Sequence, residues 1–568
     1  MLASFSGGTY GFTHDRFPRA AVMRAEEQGM WTSSQTGAGT PAFDANRAAM
    51  LQSVAELRAL EARAAAASER RRDRFEARGQ IVPRERLARL LDPGMPFLRL
   101  HSLAGYGADT SDLAVSIPGS TFLGGIGFVS GVRCMIVVDD SGINAGALSP
   151  FALEAMLSMQ EIALRQKLPF LHLVESAGAN LMNYRVEDWA RGGAVFRNLA
   201  RLSAAGLPTI AILHGPSTAG GAYMPGLSDY VIAVKTNGMA ALAGAALVFA
   251  ATGEKSSDKA LGGAEMHASV SGLVEYLAEN DAHAIEMARQ VVARLDWNKD
   301  ARPQDDRTWS PPTLASEELA GVAPADTKTP YDAREIVARL VDGSDFEEFK
   351  PDFGPATLCL QAAIHGVSVG LLANNGPIDP AGANKATHFI QACDQAGTPL
   401  VFLNNTTGYM VGVEYERAGM IKHGSKMIQA VSNARVPKIT LYVGASFGAG
   451  NYGMCGIAFE PDFLFAWPNS RSGVMGGDQA ANTMSAVARA GAARTGGELD
   501  EERLSKQEAA IRTLFDRQSS PFHTSGRILD HGVIDPRDSR KVLAFCLLTC
   551  LDARRRKLRP NSFGVARI

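Results

Sequence analysis

The sequence predicts an α/β protein that contains one domain twice. Around Pro208 the chain reads GLPTIAILHGPSTAGGAYMPG, and around Pro437 it reads RVPKITLYVGASFGAGNYGMCG. In both segments a proline leads a run of β-branched and apolar residues, and a cluster of Gly, Ala and small hydroxyl residues follows. Upstream, LPFLHLVESAGANL matches TPLVFLNNTTGYMV, and their prolines are separated by the same interval to within one position. A separation between matching residues that stays constant to within one position indicates an internal duplication.

Predicted strands and helices alternate within each copy. The first copy runs through GIGFVSGVRCMIVVDD (strands), SPFALEAMLSMQEIALRQK (helix) and LPFLHLVE (strand). The second copy runs through VSVGLLANNGP, NKATHFIQACDQ and TPLVFLNN in the same order. Short apolar runs bounded by Pro and Gly are typical of buried strands. Their alternation with helices predicts largely parallel sheets covered by helices.

Composition divides the chain into four parts. Residues 1–42 are rich in Gly, Ser and Thr and predict a flexible N-terminal tail. Residues 43–305 form the first predicted domain, and the polar, Pro-rich stretch 306–330 forms a linker. Residues 331–568 form the second domain. At 568 residues the chain is long enough for each copy to bury its own core.

Bulk properties exclude several classes of function. A formal net charge of −2 gives no reason to expect nucleic acid or an anionic membrane as a partner. No apolar run reaches the roughly 18 residues that a membrane span needs. The six cysteines lack CxxC spacing, so neither a metal site nor a disulfide framework is expected. With no recognisable signal peptide, we expect a cytoplasmic location.

The repeated segment has the features of a site for chemistry. Small residues after a strand let the chain turn sharply and let a ligand approach the main chain. If a helix begins there, its first N–H groups lack partners within the helix and can hold an oxyanion. A Gly-rich turn can also serve only close helix–strand packing, but two copies make that alternative less attractive. Familiar catalytic motifs such as GxSxG, HExxH or a Walker loop are absent, which suggests that the reacting groups arrive on cofactors.

Long motifs in the chain resemble a known family. They are LGGAEMHASVSG, NNGPIDPAGANKATHFIQ, NNTTGYMVGVEYERAGMIKHGSKM, ASFGAGNYGMCG and WPNSRSGVMGGDQAAN. Together with the duplication, they are similar to the carboxyltransferase β subunits of biotin-dependent acyl-CoA carboxylases. The resemblance spans about residues 45–555 and is strongest to the methylcrotonyl-CoA and geranyl-CoA branch. It implies two tandem crotonase-like domains with the β-β-α superhelix fold. It also implies a dimer-built hexamer with the active site between two subunits.

The resemblance also implies roles for the two turns. Gly220 and Gly221 would hold the thioester oxygen of acyl-CoA as it becomes an enolate, and Ala449 and Gly450 would hold the ureido oxygen of biotin. Carboxybiotin would release CO2, and the resulting biotin enolate would take the substrate proton, so no protein base is required. Substrate-binding roles would fall to Gly192, Ala219, Phe447 and Gly448.

The carboxyl donor is expected to come from another chain. The sequence lacks the AMKM-type lysine motif that accepts biotin, since Lys426 lies in GSKM, and it lacks an ATP-grasp half. The resemblance therefore implies a partner α subunit that carries the biotin carboxylase and biotin carrier parts. No metal is expected on this chain, because the four-cysteine zinc ribbon of some family members is not matched.

The identity of the acyl group depends on one glycine. The methylcrotonyl branch carries, by resemblance, a bulky Phe where this chain has Gly192. Hydrogen in place of a ring opens room for a longer tail, which favours geranyl-CoA over 3-methylcrotonyl-CoA. A loop shifted by one residue would remove this inference. Alternatives left open are a decarboxylase or transcarboxylase subunit, a biotin-independent crotonase-type hydratase or isomerase, and a non-catalytic scaffold.

Overall fold

Two sheets of the same design organise the molecule. The computed structural model describes residues 37–108, 110–119, 121–178, 185–298, 307–495 and 500–566. The strands of the first sheet are β1 Leu98–Leu100, β2 Phe122–Val129, β3 Val132–Asp139, β4 Phe170–Ser176, β5 Thr209–Thr218, β6 Tyr230–Val234, β7 Met239–Ala241 and β8 Tyr276–Ala278. Those of the second are β9 Phe346–Glu348, β10 Thr357–Ile364, β11 Val367–Asn374, β12 Leu400–Thr406, β13 Lys438–Phe447, β14 Phe463–Ala466 and β15 Arg471–Gly473.

Helices cover both sheets. Numbered in chain order, they are α1 Pro41–Glu69, α2 Arg72–Glu76, α3 Pro83–Leu90, α4 Pro150–Arg165, α5 Val186–Ala204, α6 Tyr223–Gly226, α7 Ala245–Thr252, α8 Asp258–Gly262, α9 Ala264–Met266, α10 Asp281–Arg294, α11 Leu319–Val322, α12 Arg334–Ala338, α13 Pro380–Ala396, α14 Val413–Arg417, α15 Met420–Asn433, α16 Gly448–Gly453, α17 Gly477–Thr495, α18 Glu501–Ser519, α19 Pro521–Gly526 and α20 Ser539–Arg555. None of the helices in these described ranges is long and apolar enough to cross a membrane.

The two sheets share one topology. The first has the order β1-β2-β3-β4-β5-β6-β8 with β7 on β5, and the second has β14-β13-β12-β11-β10-β9 with β15 on β13. In each, only the pairs at the β1–β3 or β9–β11 end are antiparallel, and every later pair is parallel. The predicted α/β class with two copies of one unit is confirmed.

The duplication extends to the helix caps. Ser149 caps α4 by accepting a hydrogen bond from the N–H of Ala152 (3.2 Å), and Asp379 caps α13 by accepting one from the N–H of Gly382 (2.6 Å). Proline occupies the first position of both helices, where its missing N–H costs nothing. The matching helix of each copy therefore begins with the same local sequence pattern, a capping side chain followed by proline.

The two copies are not independent bodies. One apolar cluster contains Met135 of the first sheet, Leu358 of the second, and Phe545 of α20. Within the predicted linker, α11 is fully buried in that cluster. Most of the predicted tail, residues 1–36, lies outside the described residues, and α1 begins at Pro41. The division of the chain into four parts stays a prediction.

All six cysteines are free and buried. Cys546 and Cys550 are 0% and 2% exposed on α20, so both serve core packing. Burial raises the pKa of each of these two thiols well above its ordinary value. They are thiols rather than thiolates at neutral pH.

A buried carboxyl lies at the seam between the two copies. His531 donates its N–H to the carbonyl of Leu464 (2.8 Å) and accepts the N–H of His101 (2.9 Å) at its own carbonyl, so this segment joins the two halves. The neighbouring Asp530 is 1% exposed, and the hydroxyl of Thr524 donates a hydrogen bond to it (3.4 Å). Burial raises the pKa of Asp530 to about 7.

Stability should therefore depend on pH through Asp530. Between the unfolded pKa of about 3.9 and the folded pKa, the folded chain binds one more proton, so stability falls as pH rises through this window. Asp530→Asn cannot ionise, and its advantage in stability over the native chain should grow from pH 5 to pH 7 by at most about 3 kcal/mol. Thermal unfolding at several pH values measures this gap. Asp44→Asn, at an exposed position, is the control, and a gap that does not change with pH would contradict the prediction.

Candidate active site

The repeated segments fold as two matched turns. Strand β5 ends at Thr218, and a 3-10 turn Ala219–Ala222 follows, while β13 ends at Phe447 and passes directly into α16. Ala219 has φ 54° and Gly448 also has φ 54°, so the chain bends to the left-handed region at the same place in both copies. Positions that match in sequence between the two copies therefore also match in backbone conformation.

A glycine loop from the neighbouring strand supports each turn. The register between β4 and β5 shifts between Val174 and Ser176, and Gly178 follows with φ 78°. A Cβ on Gly178 would lie 2.9 Å from the carbonyl oxygen of Thr218. In the second copy, a Cβ on Gly450 would lie 2.8 Å from Cα of Gly408. Side chains are therefore excluded where these two segments meet.

The predicted site residues fall into two groups on different sheets. Ala219, Gly220 and Gly221 share the turn after β5, and Phe447, Gly448, Ala449 and Gly450 share the turn after β13. Gly220 and Ala449 occupy matching positions and are exposed, whereas Gly221 and Gly450 are buried. At a helix start these positions carry N–H groups without partners inside the helix. Through these N–H groups, each turn can donate hydrogen bonds to an oxygen atom of a ligand.

Gly192 lies beside the first turn. It is on α5, one helical turn before Phe196, so the two residues lie on the same helix face. A Cβ on Gly220 would lie 3.5 Å from Cζ of Phe196, and the ring of Phe196 packs edge-on against Tyr223 with centroids 5.5 Å apart. Among the residues that the structure describes, a Cβ on Gly192 would meet only Leu153, at 3.9 Å. With respect to the described part of the chain, the helix face that carries Phe196 is therefore open at Gly192.

A buried ion network lies behind the first turn. Arg86 donates to Glu175 (2.6 Å) and to Asp281 (2.9 Å), and Nδ1 of His214 lies 3.0 Å from Oδ1 of Asp281. Gln80 donates to Glu175 (3.3 Å) and to the carbonyl of His214 (2.9 Å). All five residues are at most 5% exposed. The charges therefore compensate one another inside the protein rather than through solvent.

The pKa values in the network follow from burial and from Arg86. Burial, and then the positive charge of Arg86, lower the pKa of His214, so this imidazole is neutral at neutral pH. Burial alone would raise the pKa of Asp281, but the hydrogen bond with His214 and the charge of Arg86 offset it, and the pKa lies below its ordinary value. Asp281 is a carboxylate at neutral pH.

Sequence reasoning missed Phe196, Tyr223 and this network. One signal was available, because Glu175 is an acidic residue inside the repeated strand segment, where the second copy has Asn405. Residues 179–184, which belong to the same segment, lie outside the described residues. Among the described residues, no group of three or more His, Cys, Asp or Glu side chains is arranged to hold a metal ion.

Comparison with known proteins assigns the family. The model of the carboxyl transferase domain matches residues 74–565. The chain belongs to the carboxyl transferase family. Its matched turns are thus those of a carboxyl transferase, and the predicted crotonase-like fold is confirmed.

Relatives place this carboxyl transferase among the β subunits of biotin-dependent acyl-CoA carboxylases. It is 49% identical, over 84% of this chain and 88% of the relative, to a probable biotin-dependent acyl-CoA carboxylase beta2 subunit of Mycobacterium tuberculosis. It is 43% identical, over 91% and 96%, to the 3-methylcrotonyl-CoA carboxylase beta1 subunit of the same organism. The crystal structure of the geranyl-CoA carboxylase β subunit of P. aeruginosa is 49% identical with a TM-score of 0.88, covering 94% of this chain and 100% of that one.

Proposed function

We propose that this carboxyl transferase moves a carboxyl group from carboxybiotin to a branched, α,β-unsaturated acyl-CoA, with geranyl-CoA preferred over 3-methylcrotonyl-CoA. The observation that carries the proposal is the pair of matched turns, each with an exposed backbone position at a helix start. One turn is needed for each of two carbonyl-type oxygens, that of the thioester and that of biotin. A duplicated fold supplies both.

In this proposal the first turn holds the thioester oxygen. Gly220 and Gly221 present N–H groups to the oxygen as the acyl group becomes an enolate, and Ala219 shapes the bend before them. Such donors act on charge that develops in the transition state, and each contributes about 2.7–4 kcal/mol. The exposure of Gly220 next to the rings of Phe196 and Tyr223 supports this assignment, because the acyl chain needs an apolar wall.

The second turn holds the ureido oxygen of biotin. Ala449 and Gly450 take the places that Gly220 and Gly221 have in the first copy, and Phe447 and Gly448 form the approach to them. The fit is supported by the glycines, since backbone meets backbone at Gly450 and Gly448 adopts φ 54°. Carboxybiotin supplies the carboxyl group when it is bound; this chain orients it and excludes side chains from its path.

Partners follow from the same proposal. The carboxyl donor is carried by a separate biotin-bearing α subunit, and copies of this chain assemble as a dimer-built hexamer. Exposed apolar side chains near the strand ends support self-association, since Leu242, Val270 and Val411 are 64%, 78% and 80% exposed. A cytoplasmic location stays a prediction of the sequence.

A panel of acyl-CoA substrates tests the function. Carboxylation by this chain with its biotinylated partner, ATP and bicarbonate should be fastest with geranyl-CoA. Preference for 3-methylcrotonyl-CoA would keep the carboxyltransferase and overturn the chain-length assignment. No turnover of any acyl-CoA with a bound, biotinylated partner would favour the scaffold alternative.

Gly192→Phe should reverse the preference for chain length. A ring at this open helix position would fill the space along the face of Phe196, so kcat/KM should fall at least about tenfold more for geranyl-CoA than for 3-methylcrotonyl-CoA. Gly193→Phe is the matched control, because Gly193 is the next residue of α5 and its Cβ position has no neighbour within 4 Å in the described ranges of the chain. Equal losses on both substrates would show that Gly192 does not set chain length.

A further inference from the structure

We propose that Glu175 is a positioning residue for the first turn, and that the ion network around Arg86 holds this turn in a strained conformation. The second turn needs no such network. The proposal rests on the proposed role of the first turn in holding the thioester oxygen. It assigns a function to the buried charges of the first copy, which the transfer reaction itself does not use.

The strain is at Ala219. A residue with a Cβ is destabilised in the left-handed region by steric contact with its own backbone, whereas glycine adopts it freely. Ala219 has φ 54°, and the residue at the matching position of the second copy is Gly448, with the same φ. Strained conformations persist only where the surrounding structure fixes them. The first turn therefore requires a support that the second turn can do without.

Glu175 provides contact with the strand that leads to this turn. It lies near the end of β4, and a Cβ on Gly215 would lie 2.5 Å from Cδ of Glu175. Gly215 is on β5, three residues before Thr218. The carboxyl group thus fills the space above the glycine and packs directly on the last residues of β5.

The network fixes Glu175 from three other elements of the chain. Arg86 comes from α3, Gln80 from the segment before it, and Asp281 from the start of α10. Asp281 also accepts the N–H of Ile81 (2.8 Å). Charge-assisted hydrogen bonds of this kind are shorter and stronger than neutral ones. Glu175 is therefore held more firmly than an uncharged side chain would be.

The second copy provides an internal comparison. Asn405 takes the place of Glu175 and packs over Gly444, the counterpart of Gly215, where it accepts the N–H of Ala445 (3.3 Å). Val443 stands at the position of His214. The second copy therefore keeps the contact between a strand side chain and the facing glycine, but makes it with the neutral side chain of Asn405. The charged form occurs in the copy whose turn carries alanine, and the neutral form in the copy whose turn carries glycine.

A double-mutant cycle tests the coupling between Glu175 and Ala219. Glu175→Gln keeps the size of the side chain, removes its charge, and leaves Arg86 paired with Asp281. In the native background it should lower kcat about tenfold or more while KM for acyl-CoA changes little. Combined with Ala219→Gly, the same substitution should cost less than about threefold, because the relaxed turn no longer depends on the network.

Amide hydrogen exchange gives a readout that does not depend on activity. In Glu175→Gln, exchange in residues 215–222 should rise about tenfold, while the matching residues 444–451 stay unchanged. In the Ala219→Gly background the rise should largely disappear. Glu335→Gln is the control, because Glu335 is also a buried partner of an arginine, Arg339 (2.8 Å), outside both turns.

The outcomes separate this proposal from the proposed function. Equal losses of kcat in the native and the Ala219→Gly backgrounds, or equal changes of exchange in both copies, would overturn the positioning role and leave the transferase intact. Loss of stability without the split between kcat and KM, as expected for Glu335→Gln, would also overturn it. A chain without any acyl-CoA activity would overturn the proposed function, and the exchange data would still decide the role of Glu175.

Discussion

Replacing Gly220 by proline is expected to reduce kcat for acyl-CoA carboxylation by about 100-fold or more, with KM much less affected. Proline has no N–H, so the variant loses a donor to the thioester oxygen where negative charge develops. Because Gly220 is exposed and outside the apolar core, assembly and melting temperature should change little. Steady-state kinetics with geranyl-CoA, together with size-exclusion chromatography, measure both effects.

Gly220→Ala is the matched control for this loss. Alanine keeps the N–H, and its Cβ would lie 3.5 Å from Phe196, which is an ordinary contact. Its activity should stay well above that of Gly220→Pro. Comparable losses in the two variants would show that shape rather than hydrogen bonding matters at this position, and a fully active proline variant would remove Gly220 from the site.

Gly450→Ala is expected to abolish carboxyl transfer from the other side of the reaction. The new Cβ would lie 2.8 Å from Cα of Gly408 and 3.1 Å from Cγ2 of Thr406, so backbone has to move. A displacement of about 1 Å can cost roughly 100-fold in rate. Binding of acyl-CoA, measured by calorimetry, should remain unchanged, because the first turn is on the other sheet.

The control for Gly450→Ala is Gly491→Ala on α17, where the Cβ position has no contact within 4 Å from the described residues. That variant should retain native turnover. If Gly450→Ala also retains it, biotin does not depend on the close approach of these two glycines. If acyl-CoA binding is lost together with turnover, the two turns are not separate in function.

For β5 and β13, the strands that lead to the two turns, the duplication could be predicted from sequence with single-residue accuracy. Strands β5 and β13 begin, and also end, at the same separation along the chain as Pro208 and Pro437, the prolines that precede them. This succeeded because proline, a buried apolar run and glycine are local signals for where a strand starts and stops. The left-handed bend at Ala219 could not be predicted, since alanine carries no local preference for it.

The support of the site was beyond sequence reasoning because its contacts are distant along the chain. Arg86 meets Glu175 across 89 residues and Asp281 across 195. No periodicity links such positions, so the sequence does not indicate which charges pair, although the acidic Glu175 is unusual within its apolar strand segment. Phe196 was missed for a related reason: a helix pattern predicts which residues share a face but not which turn that face covers.

The return of α20 to the first sheet has a consequence for how the protein is made. The guanidinium of Arg133 on β3 lies 4.8 Å from the ring centroids of both Phe128 and Phe545, which pack edge-on against each other, and donates to the hydroxyl of Thr549. The β2–β3 end of the first sheet is therefore covered by a helix from the second half of the chain. While only the first half has been synthesised, this apolar surface lacks its cover, so the first sheet cannot complete its packing before α20 is present.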